Sequence, residues 1–127
     1  MRNDDRTGCE GQYAPAVGGH LYSGPDGTSV YRQATRHDGT AHLQATGEFD
    51  MDSADCLRRA LADARNDGAT LIRLDLTSVA FGDSSFLHVL VRAHRSPGTL
   101  ILTGPLPHHL RHLFVLTDTT HLFHFEP

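Results

Sequence analysis

A strand that runs straight into a helix constrains this chain more than any other feature. In "VAFGDSSFLHVLVRAH", from Val79 to His94, an apolar strand end gives way to Gly82-Asp83-Ser84-Ser85, and a helical apolar period begins at once. Leu87, Leu90, Val91 and His94 form one helical stripe. Phe86, Val89 and Ala93 form a second, which predicts a helix buried on a wide face.

The same alternation continues on both sides. "SVYRQATR" and "TAHLQAT" read as strands joined at a His37-Asp38-Gly39 hairpin turn. In "DMDSADCLRRALADARNDG", Ala54, Leu57, Leu61 and Ala64 recur at helical spacing, with Asp52 or Ser53 to start the helix and Gly68 to end it. "TLIRLDL" is the next strand. After "SPG" breaks the second helix, "TLILTG" reads as a short buried strand. Pro107 opens a third helix through Leu110, Leu113, Phe114 and Thr117, and "HLFHF" forms a last strand. The order β-β-α-β-α-β-α-β predicts a single α/β domain with a mixed, mostly parallel sheet and packed helices.

Residues 1–28 are rich in Gly, Pro, Asp and Ser and show no period. They are expected to be a disordered tail before a domain spanning 29–127. The 39% hydrophobic fraction is low for a compact domain and fits dilution by such a tail. The first residues lack the apolar core of a signal peptide, and no stretch is long and apolar enough to span a bilayer, so a cytoplasmic protein without a membrane partner is expected. A net charge of -4 without a basic stripe argues against direct nucleic-acid binding. Cys9 and Cys56 form no metal or redox motif, and Cys56, in a helical pattern, is expected to be a buried thiol.

Three chemistries compete for Gly82-Asp83-Ser84-Ser85. Asp and Ser are preferred helix caps, and a strand-to-helix turn needs one. Gly-Asp-Ser also resembles the nucleophile block of GDSL-type esterases, and Asp118-Thr119-Thr120-His121 supplies their Asp-x-x-His spacing. Those enzymes carry further Gly and Asn blocks for the oxyanion. Here the asparagines are Asn3, in the tail, and Asn66, at a helix end, so the oxyanion donors are missing. No catalytic residue is therefore assigned.

The third reading rests on the wider stretch "LIRLDLTSVAFGDSSFLHVLVRAHR", which resembles the central block of STAS domains, the fold of bacterial anti-sigma factor antagonists. There a strand ending in Asp-Leu leads through Asp-Ser-Ser-Gly into a helix. "TGEFD", Thr46 to Asp50, resembles the family's Gly-Glu-Leu-Asp. "LRHLFVLTDTTHLFHF" resembles its Arg-x-Leu/Phe helix, Thr/Ser-Gly-Leu turn and last strand. The likeness spans roughly Val30 to Phe125. It implies a STAS domain that binds an anti-sigma factor with ATP-dependent serine kinase activity and so frees a sigma factor. It implies phosphorylation at Ser84, and partner contacts through Glu48, Asp50, Asp83, Ser84, Ser85 and Phe86. A STAS scaffold that is never phosphorylated is the related alternative, and a small GDSL-like hydrolase the unrelated one. Two positions depart from the pattern. Phe86 stands where the family has Gly, so its bulk is expected either to obstruct the kinase or to repack the docking surface. Asp118 replaces the Gly of the later turn.

The chain carries 10 His, so its surface charge depends strongly on pH. His108 and His112 share a helix face at i, i+4, a spacing that can hold Zn or Ni, but no further ligand accompanies them. They read as surface imidazoles; no metal or cofactor is expected. His94 is expected to pack at its helix border.

Overall fold

The computed structural model describes residues 9–14 and 18–127. Among them seven strands form one sheet, ordered as they occur in the chain: β1 (Glu10–Ala14), β2 (Gly19–Ser23), β3 (Ser29–Gln33), β4 (Thr40–Phe49), β5 (Leu71–Gly82), β6 (Thr99–Thr103) and β7 (His124–Glu126). β1 to β4 pair antiparallel; β4 to β7 pair parallel. Each parallel step is bridged by a helix: α1 (Ala54–Asn66), α2 (Ser84–Arg95) and α3 (His108–Leu116). From β3 onward this is the order read from the sequence. The β3–β4 turn falls at His37-Asp38-Gly39, with Gly39 at φ 87° and the Asp38 carboxylate accepting from the Thr40 N–H at 2.9 Å.

The strands alternate between a core face and a polar face. Ala41, Ile72 and Leu100 form one buried cross-strand row and Leu43, Leu74 and Leu102 the next. Leu57, Leu61, Phe86, Leu90, Leu110 and Phe114 from the three helices join the same cluster. The opposite face carries Gln44, Asp75, Thr103 and Glu126 in register, with an Arg73–Glu126 ion pair across it. His94 lies edge-on to Phe123 at 5.5 Å, at the border of α2.

The expected tail boundary at residue 28 is corrected by β1 and β2. The parts of the expected tail at residues 1–8 and 15–17 lie outside the described residues. β2 pairs along its length with β3, and Tyr22 is buried. The Tyr22 hydroxyl donates to Asp63 of α1 at 2.6 Å and accepts from Arg32 Nε at 3.2 Å. Burial, reinforced by the bond to Asp63, raises its pKa, so it remains a donor. Arg32, itself buried, also reaches Asp67 at 3.4 Å. Cys56 is likewise corrected: it is no free thiol but is bonded to Cys9, 47 residues away in sequence, with the Cα atoms 5.3 Å apart. These strands are short and Gly-rich, and what holds them is tertiary. Composition and period carry no trace of that.

Closing a loop of this length removes denatured-state entropy worth roughly 4 kcal/mol. Reduction, or Cys56→Ser, is therefore expected to lower the urea midpoint, with β1 losing amide protection first. An unchanged midpoint would count against the bond as a structural staple.

Candidate functional site

β4 and β5 end side by side, and each leads into a helix. Phe49 lies in register with Gly82, and the Asp83 N–H donates to the Phe49 carbonyl at 3.2 Å. The starts of α1 and α2 are thereby brought together, and residues 48–50 run alongside 81–83.

The question of which residue caps α2 has a direct answer. Asp83 Oδ1 accepts from the N–H groups of Ser85 at 2.8 Å and Phe86 at 3.3 Å. With the cap supplied by Asp83, Ser84 is exposed and its hydroxyl has no hydrogen-bond partner among the described residues. Ser85 is half-buried.

At the start of α1 the capping group comes from further back than the expected Asp52 or Ser53, from Asp50. Asp50 Oδ1 accepts from the Asp52 N–H at 2.9 Å, the Ser53 N–H at 3.1 Å and the Ser53 hydroxyl at 3.0 Å. The Ser53 hydroxyl bond, with the two N–H bonds, holds the Asp50 carboxyl below the usual carboxylate range. Glu48 is exposed. Its carbonyl accepts from Thr28 at 2.7 Å and Ser53 at 2.8 Å, tying the strand end to both flanking loops.

Phe86 is not at the surface, which corrects its placement among partner-contacting residues. It is fully buried, its ring 5.6 Å from that of Phe49. A Cβ on Gly82 would lie 2.5 Å from Phe86 Cδ2, so the glycine makes the space that the ring occupies. The Phe86 ring lies in the interior and leaves the Ser84 hydroxyl uncovered.

Two exposed apolar side chains border the site and were not singled out from the sequence: Met51, 79% exposed, and Phe81, 46% exposed. Two bulges in the β4–β5 pairing change the inward period of β5 from two to three, so Leu76, Val79 and Gly82 face in and Phe81 faces out. Periodicity alone does not reveal such a shift. Met51, Asp55, Arg58, Ser84, Ser85 and His88 all line a shallow cavity of about 420 Å³ between the two helices.

The hydrolase constellation does not assemble. Asp118 and His121 do approach, at 3.9 Å, on the exposed turn before β7. That turn is at the N-terminal end of the parallel strands, whereas Ser84 follows the C-terminal end of β5. Asp118 sits at φ 57°, a left-handed conformation that Gly adopts freely and that Asp and Asn tolerate best of the other residues. His108 and His112 stack at 6.5 Å, and among the described residues no group of three or more His, Cys, Asp or Glu could hold a metal.

The family model described as Mlab, STAS domain matches residues 33–124. Among solved structures, an anti-sigma factor antagonist from Mycobacterium paratuberculosis is similar at 27% identity, covering 83% of this chain and 90% of that one, with a TM-score of 0.63. The anti-sigma factor antagonist SpoIIAA in its unphosphorylated form is similar at 19% identity, covering 70% and 79%, with a TM-score of 0.53. The Bacillus cell fate determinant SpoIIAA in the phosphorylated form gives 20%, 76%, 89% and 0.58. At these identities the last two speak to the fold alone. None of the curated proteins compared matches the chain.

Phe86→Ala should cost about 3–5 kcal/mol in a denaturant melt, because it empties a closed site. A cost under about 1 kcal/mol would mean the ring is not packed as described. Folding makes Asp50 a stronger acid, so its stabilising effect is complete above roughly pH 4 and is lost as pH falls through the lower folded value. An NMR titration should find the Asp50 carboxyl below the ordinary value, and Ser53→Ala should move it back up.

Proposed function

The chain belongs to the STAS-domain family, and from that premise we propose that it is an anti-sigma factor antagonist. In this reading it is a non-catalytic module that binds an anti-sigma factor of the ATP-dependent serine kinase type, frees a sigma factor, and is switched off by phosphorylation of Ser84. The role belongs in the cytoplasm. No helix among the described residues is long and apolar enough to cross a membrane.

The observation that carries the reading is the division of labour at the start of α2. Asp83 holds the helix, so Ser84 is free to be modified. A phosphate there adds about -1.5 to -2 charges and gains roughly 0.3–1 kcal/mol from the helix dipole. The fold need not change. The switch acts on the docked surface, where Glu48, Asp50, Asp83, Ser84 and Ser85 would meet the partner beside exposed Met51 and Phe81. Desolvating a new charge in that contact, without a partner Arg, costs several kcal/mol.

Co-purification from the native cell supplies the partner for the test. With that kinase and ATP, mass spectrometry should find one phosphate, on Ser84. Ser84→Asp should weaken binding by at least about tenfold, a cost of roughly 1.4 kcal/mol or more. Ser84→Ala should bind nearly as the parent does, since the cap is retained. Transfer to Ser85 with Ser84 untouched would overturn the site assignment. Tight binding with no transfer would favour the unphosphorylated scaffold, and ester hydrolysis lost in Ser84→Ala would overturn the binding-module reading.

A further inference from the structure

Four of the chain's 11 arginines line one groove. α1 and α2 lie side by side, and between them runs an open groove of about 730 Å³. Arg58 and Arg65 stand on its α1 wall, Arg92 and Arg95 on its α2 wall, and Leu61 and Val89 on its apolar floor. The acids that α1 carries toward its other flank, Asp63 and Asp67, are engaged by Tyr22 and Arg32.

Among the described residues Arg58 is paired, with Asp55, while Arg65, Arg92 and Arg95 have no carboxylate partner. Arg65 is held by carbonyls alone, those of Ala69 at 3.4 Å and Thr99 at 3.3 Å, and burial lowers its pKa. At its other end the groove shares Arg58, His88 and Val89 with the cavity that contains Ser84.

We propose that this groove docks an acidic amphipathic helix of the protein partner, one apolar stripe seated on the Leu61–Val89 floor and Asp or Glu on both flanks meeting the two arginine walls. The inference deepens the reading of the α2 start as a docking surface, and rests on it, by giving the chemistry of the partner's contact. Charge spacing favours a helix over a small anion. Arg58 and Arg65 are seven residues apart on one helix, about 10 Å along its axis, so the guanidinium groups are strung out and do not converge on one point. α2 is 12 residues long, about 18 Å, which matches roughly three turns of a partner helix.

The test uses the full chain, 15N-labelled, and a synthetic peptide of about 15 residues with Leu at i, i+3, i+4 and i+7 and Glu on the flanks. Saturable amide shifts should map to residues 58–65 and 88–96. Arg92→Glu combined with Arg95→Glu should weaken binding at least about tenfold, and so should scattering the leucines in a peptide of equal composition. Both arginines are exposed and unpaired, so this double variant should fold; a melt at the parent midpoint confirms it. Equal binding of the scattered peptide, or full displacement by sulfate or by a thymidine oligonucleotide, would overturn the helix as occupant. So would the absence of saturable shifts in the groove. No anti-sigma factor is present and Ser84 is unmodified, so failure here leaves the Ser84 assignment standing, and failure of Ser84 phosphorylation leaves this result standing.

Discussion

The hydrogen bond from the Asp83 N–H to the Phe49 carbonyl joins the ends of the two central parallel strands, and the rest of the site depends on that join. It fixes where both helices begin. Behind it, the Phe86 ring packs against Phe49 and over Gly82, so the turn is backed by a filled interior. In front of it, the Asp50 and Asp83 carboxylates are spent on backbone N–H groups. What remains exposed at the junction is a serine hydroxyl beside apolar Met51 and Phe81. In the function proposed above, this is the surface that a partner covers and an added charge disturbs.

The N-terminal hairpin supports this arrangement from one side. Tyr22 reaches α1 through Asp63, and the Cys9–Cys56 bond reaches its first turns. Disulfides are uncommon in a reducing cytoplasm. The Tyr22–Asp63 bond and the pairing of β2 with β3 do not require one, so β2 has its own hold on α1 when the cysteines are reduced.

Much of the architecture was legible because it follows from period. The alternation from Ser29 to Phe125 gave the strands and α-helices of that span in order, though His121 and Leu122 of the expected last strand form a 3-10 turn, and the Asp83-Ser84-Ser85 run marked the helix start that positions the site. Other features were hidden for identifiable reasons. β1 and β2 are stabilised by contacts far away in sequence. The bulges of β5 shift its inward period, which concealed the exposure of Phe81. Phe86 stands where the resembled pattern has Gly, and its direction depends on the space left by Gly82, a fact of three dimensions. Asp118 takes the left-handed backbone conformation that glycine most readily adopts, so this turn forms without a glycine.

The central claim is that a phosphate on Ser84 changes a surface and leaves the fold alone. The most direct measurement is the amide spectrum of the chain carrying phosphoserine at position 84, installed during synthesis, set against the unmodified chain. The account predicts shifts confined to the neighbourhood of the β4 and β5 ends and the first turns of α1 and α2, with the protection of Leu90 in α2 and Leu74 in β5 unchanged. Loss of protection through α2, or shifts spread across the sheet, would contradict it.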